Sequence, residues 1–439
     1  MNARHAFIAL LLLVAPFLRA QDSESRFEYG FEQRILSENW NNLFDYGDSA
    51  DDQRNQVRYR TRGWGKVGLT DNIDVHVGLM QETYQIVAPR SPYRFDEVAF
   101  EHAYIDIKKL FVKGLSLRVG RQNIMKGEGF LLAEGNPWDG SRSSYFNAAN
   151  LAYSWKKSKI ELMAISDPRT DRYLPRYHDR SRQLVEWDEQ ALGTYYTDNN
   201  LKNTSIEAYY FYKKEFHDRR VPTNYQFQPD RHVSTAGGRV VRQLRRNWEA
   251  TGEMALQWGH QRPSTSIAGW GGYGYLKKYW RTAWKPSASA GYWGMSGDDP
   301  ATKDRVEGWD PLFGRGGRIS GLYLYSLMKE RGVGYWSNLG AWQGEFTFKP
   351  ARPLTGRLAY FRMNAFHTFP QGGSQIFGNG TGRGNLYQAQ LNVTVNKHWR
   401  TSALYERMSP GTFYAQRCPS YFVRFDSIFT FMGGLGAWH

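Results

Sequence analysis

A single transmembrane antiparallel β-barrel is the fold this sequence predicts, and three observations predict it. Residues 21–439 break into segments of about ten residues in which apolar or aromatic side chains alternate with polar or charged ones. The connections between segments are short and long in alternation, as in a barrel whose short turns face the periplasm and whose long loops face outward. An export signal stands in front. Residues 1–5 carry Arg4, residues 6–18 are apolar, and Leu18-Arg19-Ala20 precedes polar Gln21-Asp22-Ser23. This pattern predicts a signal peptide over 1–20, cleaved after Ala20, with the barrel domain over 21–439. The apolar run is shorter than the roughly 20 residues a spanning helix needs.

Eighteen strands follow from the alternation: 26–35, 56–69, 73–84, 98–109, 115–121, 145–153, 159–166, 190–197, 204–213, 233–243, 247–258, 267–280, 285–295, 337–348, 355–363, 385–395, 399–407 and 420–431. The number is even, as single-chain bacterial barrels require. Short connections include 70–72, 111–114, 156–157, 244–246 and 396–398. Long ones include 36–55, 122–144, 167–189, 214–232 and 296–336. Both termini then fall in the periplasm of a bacterial outer membrane.

Composition agrees. A mean hydropathy of -0.64 reads as soluble by helix rules, but only every second barrel residue faces lipid. Aromatics make up 16% of the chain, with 16 Trp, 28 Tyr and 25 Phe, enough to build a girdle at each membrane interface. One cysteine, Cys418, excludes a disulfide framework and a cysteine-based metal site. The formal charge of +15 falls to +13 when Arg4 and Arg19 leave with the signal (15 − 2). Such a chain suits anionic polysaccharide or lipid headgroups, and its export argues against nucleic acid.

The strand faces follow from charge. A charged side chain at the bilayer midplane costs roughly 2–4 kcal/mol on the lipid face. In the second strand Val57, Tyr59, Thr61, Gly63, Gly65, Val67 and Leu69 therefore face out, and Gln56, Arg58, Arg60, Arg62, Trp64 and Lys66 face in. In the last strand Tyr421, Val423, Phe425, Phe429 and Phe431 face out, with Arg424 and Asp426 inward. Around the fourth strand Tyr104, Asp106 and Lys108 turn inward. The same parity gives the lumen Arg34, Arg118, Arg239 and Arg400, and also Glu28, Glu32, Asp74, Glu161, Glu207, Glu253 and Glu345. Two readings of these charges stand. Most form ion pairs from wall to wall, because buried charge needs a partner. The row Arg58-Arg60-Arg62, which outnumbers its sequence-local acids, favours anions through planar guanidinium forks.

Scattered motifs resemble the bacterial alginate export family. Gly120-Arg121-Gln122 followed by Gly127 is similar to its glycine-arginine-glutamine signature, and Trp138, Arg142 and Phe146 to the loop and strand start beyond. Thr235-x-Gly237-x-Arg239, the run from Glu253 to Gly259, and Pro410-Gly411-Thr412-Phe413 resemble later elements. Asn147 stands where the family usually has aspartate, and Phe130 where it commonly has arginine. The resemblance implies an eighteen-stranded barrel with an electropositive constriction that passively exports a polyuronate. It adds Arg121 and Arg142 to the substrate path. Periplasmic export machinery is a further partner on this reading.

Two other classes compete. A general or sugar-specific porin would use Trp270, Tyr273, Tyr275, Tyr279 and Trp280 as a slide for sugars, whereas an interface girdle is their other reading. An outer-membrane enzyme would need a nucleophile and a positioned base. His102, His178, His217, His232, His260 and His367 lack the spacing of a triad or zinc site. A glycine-lysine nucleotide loop is absent, so transport is expected to be diffusive. Asp167, Asp171, Asp179, Asp298, Asp299 and Asp304 do not match a twelve-residue calcium loop, and no cofactor is expected. Glycine-rich stretches at 269–274, 314–317 and 372–384 read as loops, with Gly314-Arg315-Gly316-Gly317 an alternative anion cradle.

Overall fold

The computed structural model describes residues 27–435, apart from 44, 49–52, 89, 92–93, 135–144, 176–183, 186, 218–228, 262–263, 315–318, 323–336 and 370–375. The wall consists of eighteen antiparallel strands: β1 (Phe27–Asn41), β2 (Arg54–Thr70), β3 (Ile73–Ala88), β4 (Arg94–Ile107), β5 (Leu115–Gln122), β6 (Phe146–Trp155), β7 (Ser158–Asp167), β8 (Glu189–Asp198) and β9 (Thr204–Glu215). The ring continues with β10 (Arg231–Leu244), β11 (Trp248–Gln261), β12 (Thr265–Tyr279), β13 (Ser287–Met295), β14 (Leu339–Ala351), β15 (Leu354–Asn364), β16 (Gly382–Thr394), β17 (Trp399–Pro410) and β18 (Ser420–Leu435). Each pairs with the next, and β1 pairs with β18 from Phe27↔Leu435 to Asn41↔Tyr421, which closes the sheet. Closure is what lipid demands, since an open edge would leave backbone groups without partners.

The outer face is apolar. Leu192 is 63% and Trp342 62% exposed, a surface that suits acyl chains and not water. Trp155, Trp248, Trp284 and Trp399 stand by the short turns, and Trp258, Trp270 and Trp342 near the opposite strand ends. These are the two aromatic belts of a membrane barrel.

All eighteen expected strands are present, and the ends differ. β1 runs on through Asn41 and β2 starts at Arg54, so the expected loop 36–55 is shorter than the alternation predicts. The extension pairs Leu36↔Arg58 and Glu38↔Gln56 and adds inward side chains where a loop is expected. β18 also passes Phe431 and ends at Leu435. The glycine stretch 269–274 is not a loop. It lies within β12, where Trp309 packs over Gly271. Of the other two stretches, 315–317 and 372–375 lie outside the described residues, as does the expected signal over 1–20.

Among the described residues, two loops meet inside the mouth opposite the short turns. Residues 124–134 form a small hairpin, with Ile124 opposite Glu134. Leu132 then bridges Phe313 from the loop between β13 and β14, and the Phe313 N–H donates to the Leu131 carbonyl at 3.0 Å. Phe130 stacks on Trp309 at 5.0 Å. Trp309, Leu312 and Phe313 are fully buried. A hydrophobic core therefore lies inside the ring, and burying each such aromatic is worth roughly 1.5–3 kcal/mol.

The β4–β5 ladder depends on one residue without a Cβ. Gly120 sits at φ +128°, and a Cβ there would meet the Ala103 carbonyl at 2.2 Å. Gly63, on the lipid face, has nothing within 4 Å of a Cβ. Gly120→Val is expected to abolish the heat-modifiable folded band on an electrophoretic gel. Gly63→Val is expected to leave it intact. Equal behaviour of the two variants would refute this account of the β4–β5 pairing.

Candidate functional site

Three groups of side chains project from the inner face. The first lies on β18, β1, β2 and β4. Arg60 meets Glu32 at 2.5 Å. Arg62 reaches Glu32 at 3.4 Å and makes a two-pronged contact with Glu101. Arg58 meets Glu38 at 3.0 Å, and Arg424 meets the same carboxylate at 2.7 Å. The Gln56 amide also donates to Glu38, at 2.7 Å. Arg34 forks onto Asp426 at 2.6 and 2.9 Å. The row Arg58-Arg60-Arg62 does not outnumber its acids once the sheet is folded. Its partners include Glu38, on the part of β1 that the sequence predicts as loop, and Glu101, which a β-bulge in β4 brings inward. A bulge shifts the two-residue period by one, so parity alone could not place that side chain.

The second group faces the first, half-way round the ring, on β8 to β12. Arg239 donates to Glu207 at 2.9 Å, to the Tyr273 hydroxyl at 3.2 Å and to Glu128 at 3.4 Å. Glu253 accepts from Tyr209 at 2.9 Å and from Tyr273 at 2.7 Å. Tyr195 donates to Glu207, and Tyr275 to Glu128. Glu128 belongs to the inward hairpin, and Gly127 before it, at φ +54°, lies against Arg239: a Cβ there would approach the Arg239 side chain at 3.1 Å. Lys126 of the same hairpin pairs with Glu161. Acids outnumber cations here, so this sector is acidic and rich in tyrosine. Of the five aromatics weighed as a sugar slide, Tyr273, Tyr275 and Tyr279 point to these carboxylates and to Glu249, while Trp270 and Trp280 are exposed.

The third group is buried beneath the loop between β13 and β14. Lys213 meets Glu189 at 2.7 Å and Glu215 at 2.8 Å and donates to the Leu312 carbonyl at 3.1 Å. Arg231 joins Glu215 at 2.5 Å to Asp310 of the loop. Gln257 clasps the Asp310 backbone from both sides, at 2.6 and 2.9 Å. Further along the same loop, Ser320 Oγ and the Leu322 N–H donate to Glu406 of β17, each at 2.7 Å. One loop is thus tied to two separate sectors of the wall.

The remaining expected path residues lie apart from these groups. Lys66 stands 2.9 Å from Glu28 and 3.7 Å from Asp74. Arg118 meets Asp106 at 2.7 Å over the Tyr104 ring. Arg400 is exposed near the short-turn rim. Arg121 is buried and forks onto Asp171 at 2.7 and 2.9 Å, with Asn147 at 3.1 Å. Arg142 and Trp138 lie outside the described residues, as do His178 and Asp179. Among the described residues no group of three or more His, Cys, Asp or Glu is placed to hold a metal. Sequence reasoning missed Glu38, Glu101, Lys126, Glu128, Lys213, Asp310 and Glu406. Most lie in loops or next to irregular strand positions, where period two gives no signal.

The alginate export family model matches residues 27–425. The chain belongs to the alginate export family. Among the solved structures it is similar to are several from Pseudomonas aeruginosa. One is OccK2 (OpdF), at TM-score 0.60 and 10% identity over 92% of this chain and 98% of that one. Another is OccK5 (OpdH), at TM-score 0.59 and 11% identity over 93% and 98%. A third is OpdK, solved with vanillate, at TM-score 0.59 and 11% identity over 93% and 99%. No curated protein sequence matches this chain. The closed barrel, its apolar belt and the family place this alginate export family member in the bacterial outer membrane, as a channel. Two positions that differ from the family pattern have structural consequences. Asn147 accepts from Arg121 through its side-chain amide, and Asp171 supplies the carboxylate beside that guanidinium. At Phe130 the side chain joins the loop core against Trp309 and Tyr273.

The packed loops narrow the mouth, and Asp310 anchors one of them. Asp310→Ala removes the loop's carboxylate from the buried Arg231, which keeps Glu215, and so cuts one tie between this loop and the wall. The variant is expected to show larger and noisier single-channel conductance than the parent. Identical traces would mean that this loop does not set the bore.

Proposed function

We propose that this barrel carries an anionic polysaccharide, an alginate-like polyuronate above all, outward across the outer membrane by diffusion. The observation that carries the reading is the ladder Arg34, Arg58, Arg60, Arg62 and Arg424, in which every guanidinium already has a carboxylate beside it. A polyuronate bears one carboxylate per sugar. Each can replace a wall carboxylate at an arginine fork, and the wall carboxylate reclaims the fork as the chain moves on. Such exchange keeps binding strong enough for entry and weak enough for exit. Family membership supports the same cargo. The chain has no nucleotide-binding loop to drive transport, and its partners on this reading are the polymer, the surrounding lipid and periplasmic export machinery.

A second reading is a porin for small anions or sugars. The hydrophobic core of Phe130, Trp309 and Phe313 within the mouth favours it, because a narrow opening suits a small solute. The similar protein solved with vanillate had a small carboxylate bound. An enzyme is the least supported class, since the family is one of export channels.

Single-channel recording under a KCl gradient separates these readings. Anion selectivity and block by added polyuronate are expected for the parent. In an Arg58/Arg60/Arg62→Gln variant, checked for folding by gel shift, the block is expected to weaken about tenfold or more. That factor corresponds to about 1.4 kcal/mol of charge-assisted attraction. Cation selectivity with no polyuronate block, but block by small carboxylates or sugars, would leave the porin.

A further inference from the structure

The net positive charge is not in the lumen, where guanidiniums and carboxylates pair off. It lies on the short-turn rim. Seven turns, at 108–114, 156–157, 199–203, 245–247, 280–286, 352–353 and 395–398, contain twelve Lys or Arg and no Asp or Glu. All twelve side chains are exposed. Only the turn at 71–72 carries an acid, Asp71. Twelve charges on these turns stand against a formal net of +15 for the whole chain. One residue from each turn marks the ring: Lys109, Lys157, Lys202, Arg246, Lys285, Arg352 and Lys397. Because the turns occupy successive places round a closed sheet, the cations encircle the pore entrance and do not form a patch on one side. The opposite face has no such bias, with Asp298, Asp299 and Asp304 interleaved with Lys303 and Arg305.

We infer that this rim is a capture surface for a soluble polyanion in the periplasm, a carboxylated polysaccharide on the reading above, on which the inference rests. A ring of one sign at a low-dielectric entrance focuses the field into the pore and raises encounter rates by about 10–1,000-fold at low salt. Exposed lysines with few fixed partners hold a chain loosely, so the ring concentrates the polymer without trapping it. Trp155, Trp248 and Trp399 stand immediately beside their turns and mark the headgroup level, which places the turn cations on its aqueous side. The geometry therefore favours a dissolved chain over phospholipid headgroups.

The test is the rate of current block when the intact protein is inserted in one orientation into phosphatidylcholine bilayers. Oligouronate and, separately, dextran sulfate are added to one compartment at a time. The expected result is an on-rate at least about tenfold faster from the periplasmic side in low salt, falling steeply as KCl rises, with similar dwell times from either side. A variant with Lys157→Glu, Arg246→Glu and Arg352→Glu, all in exposed turns, should lose that asymmetry and keep its dwell times. Equal on-rates from both sides for both polymers would overturn the capture surface. Loss of the asymmetry when phosphatidylglycerol is added to the periplasmic leaflet would also overturn it and assign the ring to lipid. Rim-dependent asymmetry with dextran sulfate but no block by oligouronate would keep the ring and reject the uronate as cargo. Should the triple variant not insert, the salt dependence and sidedness of the unaltered protein decide the matter alone.

Discussion

The structure depends on the seam between β1 and β18. Fifteen residue pairs along it close the sheet, and closure is the condition for the remaining strands to cross a membrane at all. The seam also places charge. Arg424 of β18 reaches Glu38 of β1, and Arg34 of β1 reaches Asp426 of β18, so residues almost four hundred positions apart neutralise one another. Without that pairing, Glu38 would lose Arg424, and Arg34 and Asp426 would lose each other. The backbone constraint and the electrostatic constraint are therefore met by the same pair of strands.

Charge neutrality inside the ring has a cost and a use. Buried ion pairs add little net stability, because desolvation offsets most of their attraction. They hold side chains in register and keep either sign from dominating. In the arginine ladder on one wall each guanidinium has a carboxylate beside it, while in the glutamate–tyrosine cluster opposite it acids outnumber cations. The loops complete the second cluster by bringing Lys126 and Glu128 into it. Phe130 fills the core between the loops, stacked on Trp309, and so adds an apolar ring and no charge to the narrow part of the barrel.

Much of the fold was legible in the sequence, and the reason is simple. Lipid on one face and polar groups on the other enforce a period of two over every strand, and turn residues break it cleanly. The eighteen strands and the alternation of short and long connections follow from that period alone. The site was less legible. Glu38 escapes the pattern because the outer part of β1 reads Ser37-Glu38-Asn39, as polar as a loop, and is kept in the sheet by its neighbours. Glu101 escapes it through a bulge. Lys126, Glu128 and Asp310 lie on loop segments whose inward path is fixed by Phe130 packing on Trp309, a pairing of residues far apart in the chain that no local pattern records. The resemblance to the family pointed to Gly127, but not to why it is needed: any side chain there would press on Arg239.

On the proposed polyuronate cargo, the separation of charge between rim and lumen bears on how a channel handles a polymer. Had the constriction itself supplied all the attraction, a polyuronate held by several unpaired arginines at once would bind cooperatively and leave slowly. Paired arginines inside the bore lessen that trap, because a uronate that takes a fork frees a wall carboxylate, and the same wall carboxylate closes back on the fork as the uronate departs. The exposed cations of the turns, screened by water and salt, act on the encounter and not on the hold. Attraction at the entrance and neutrality along the path are then complementary. The first raises the local concentration of chain ends, and the second lets a chain that has entered keep moving down its own concentration gradient.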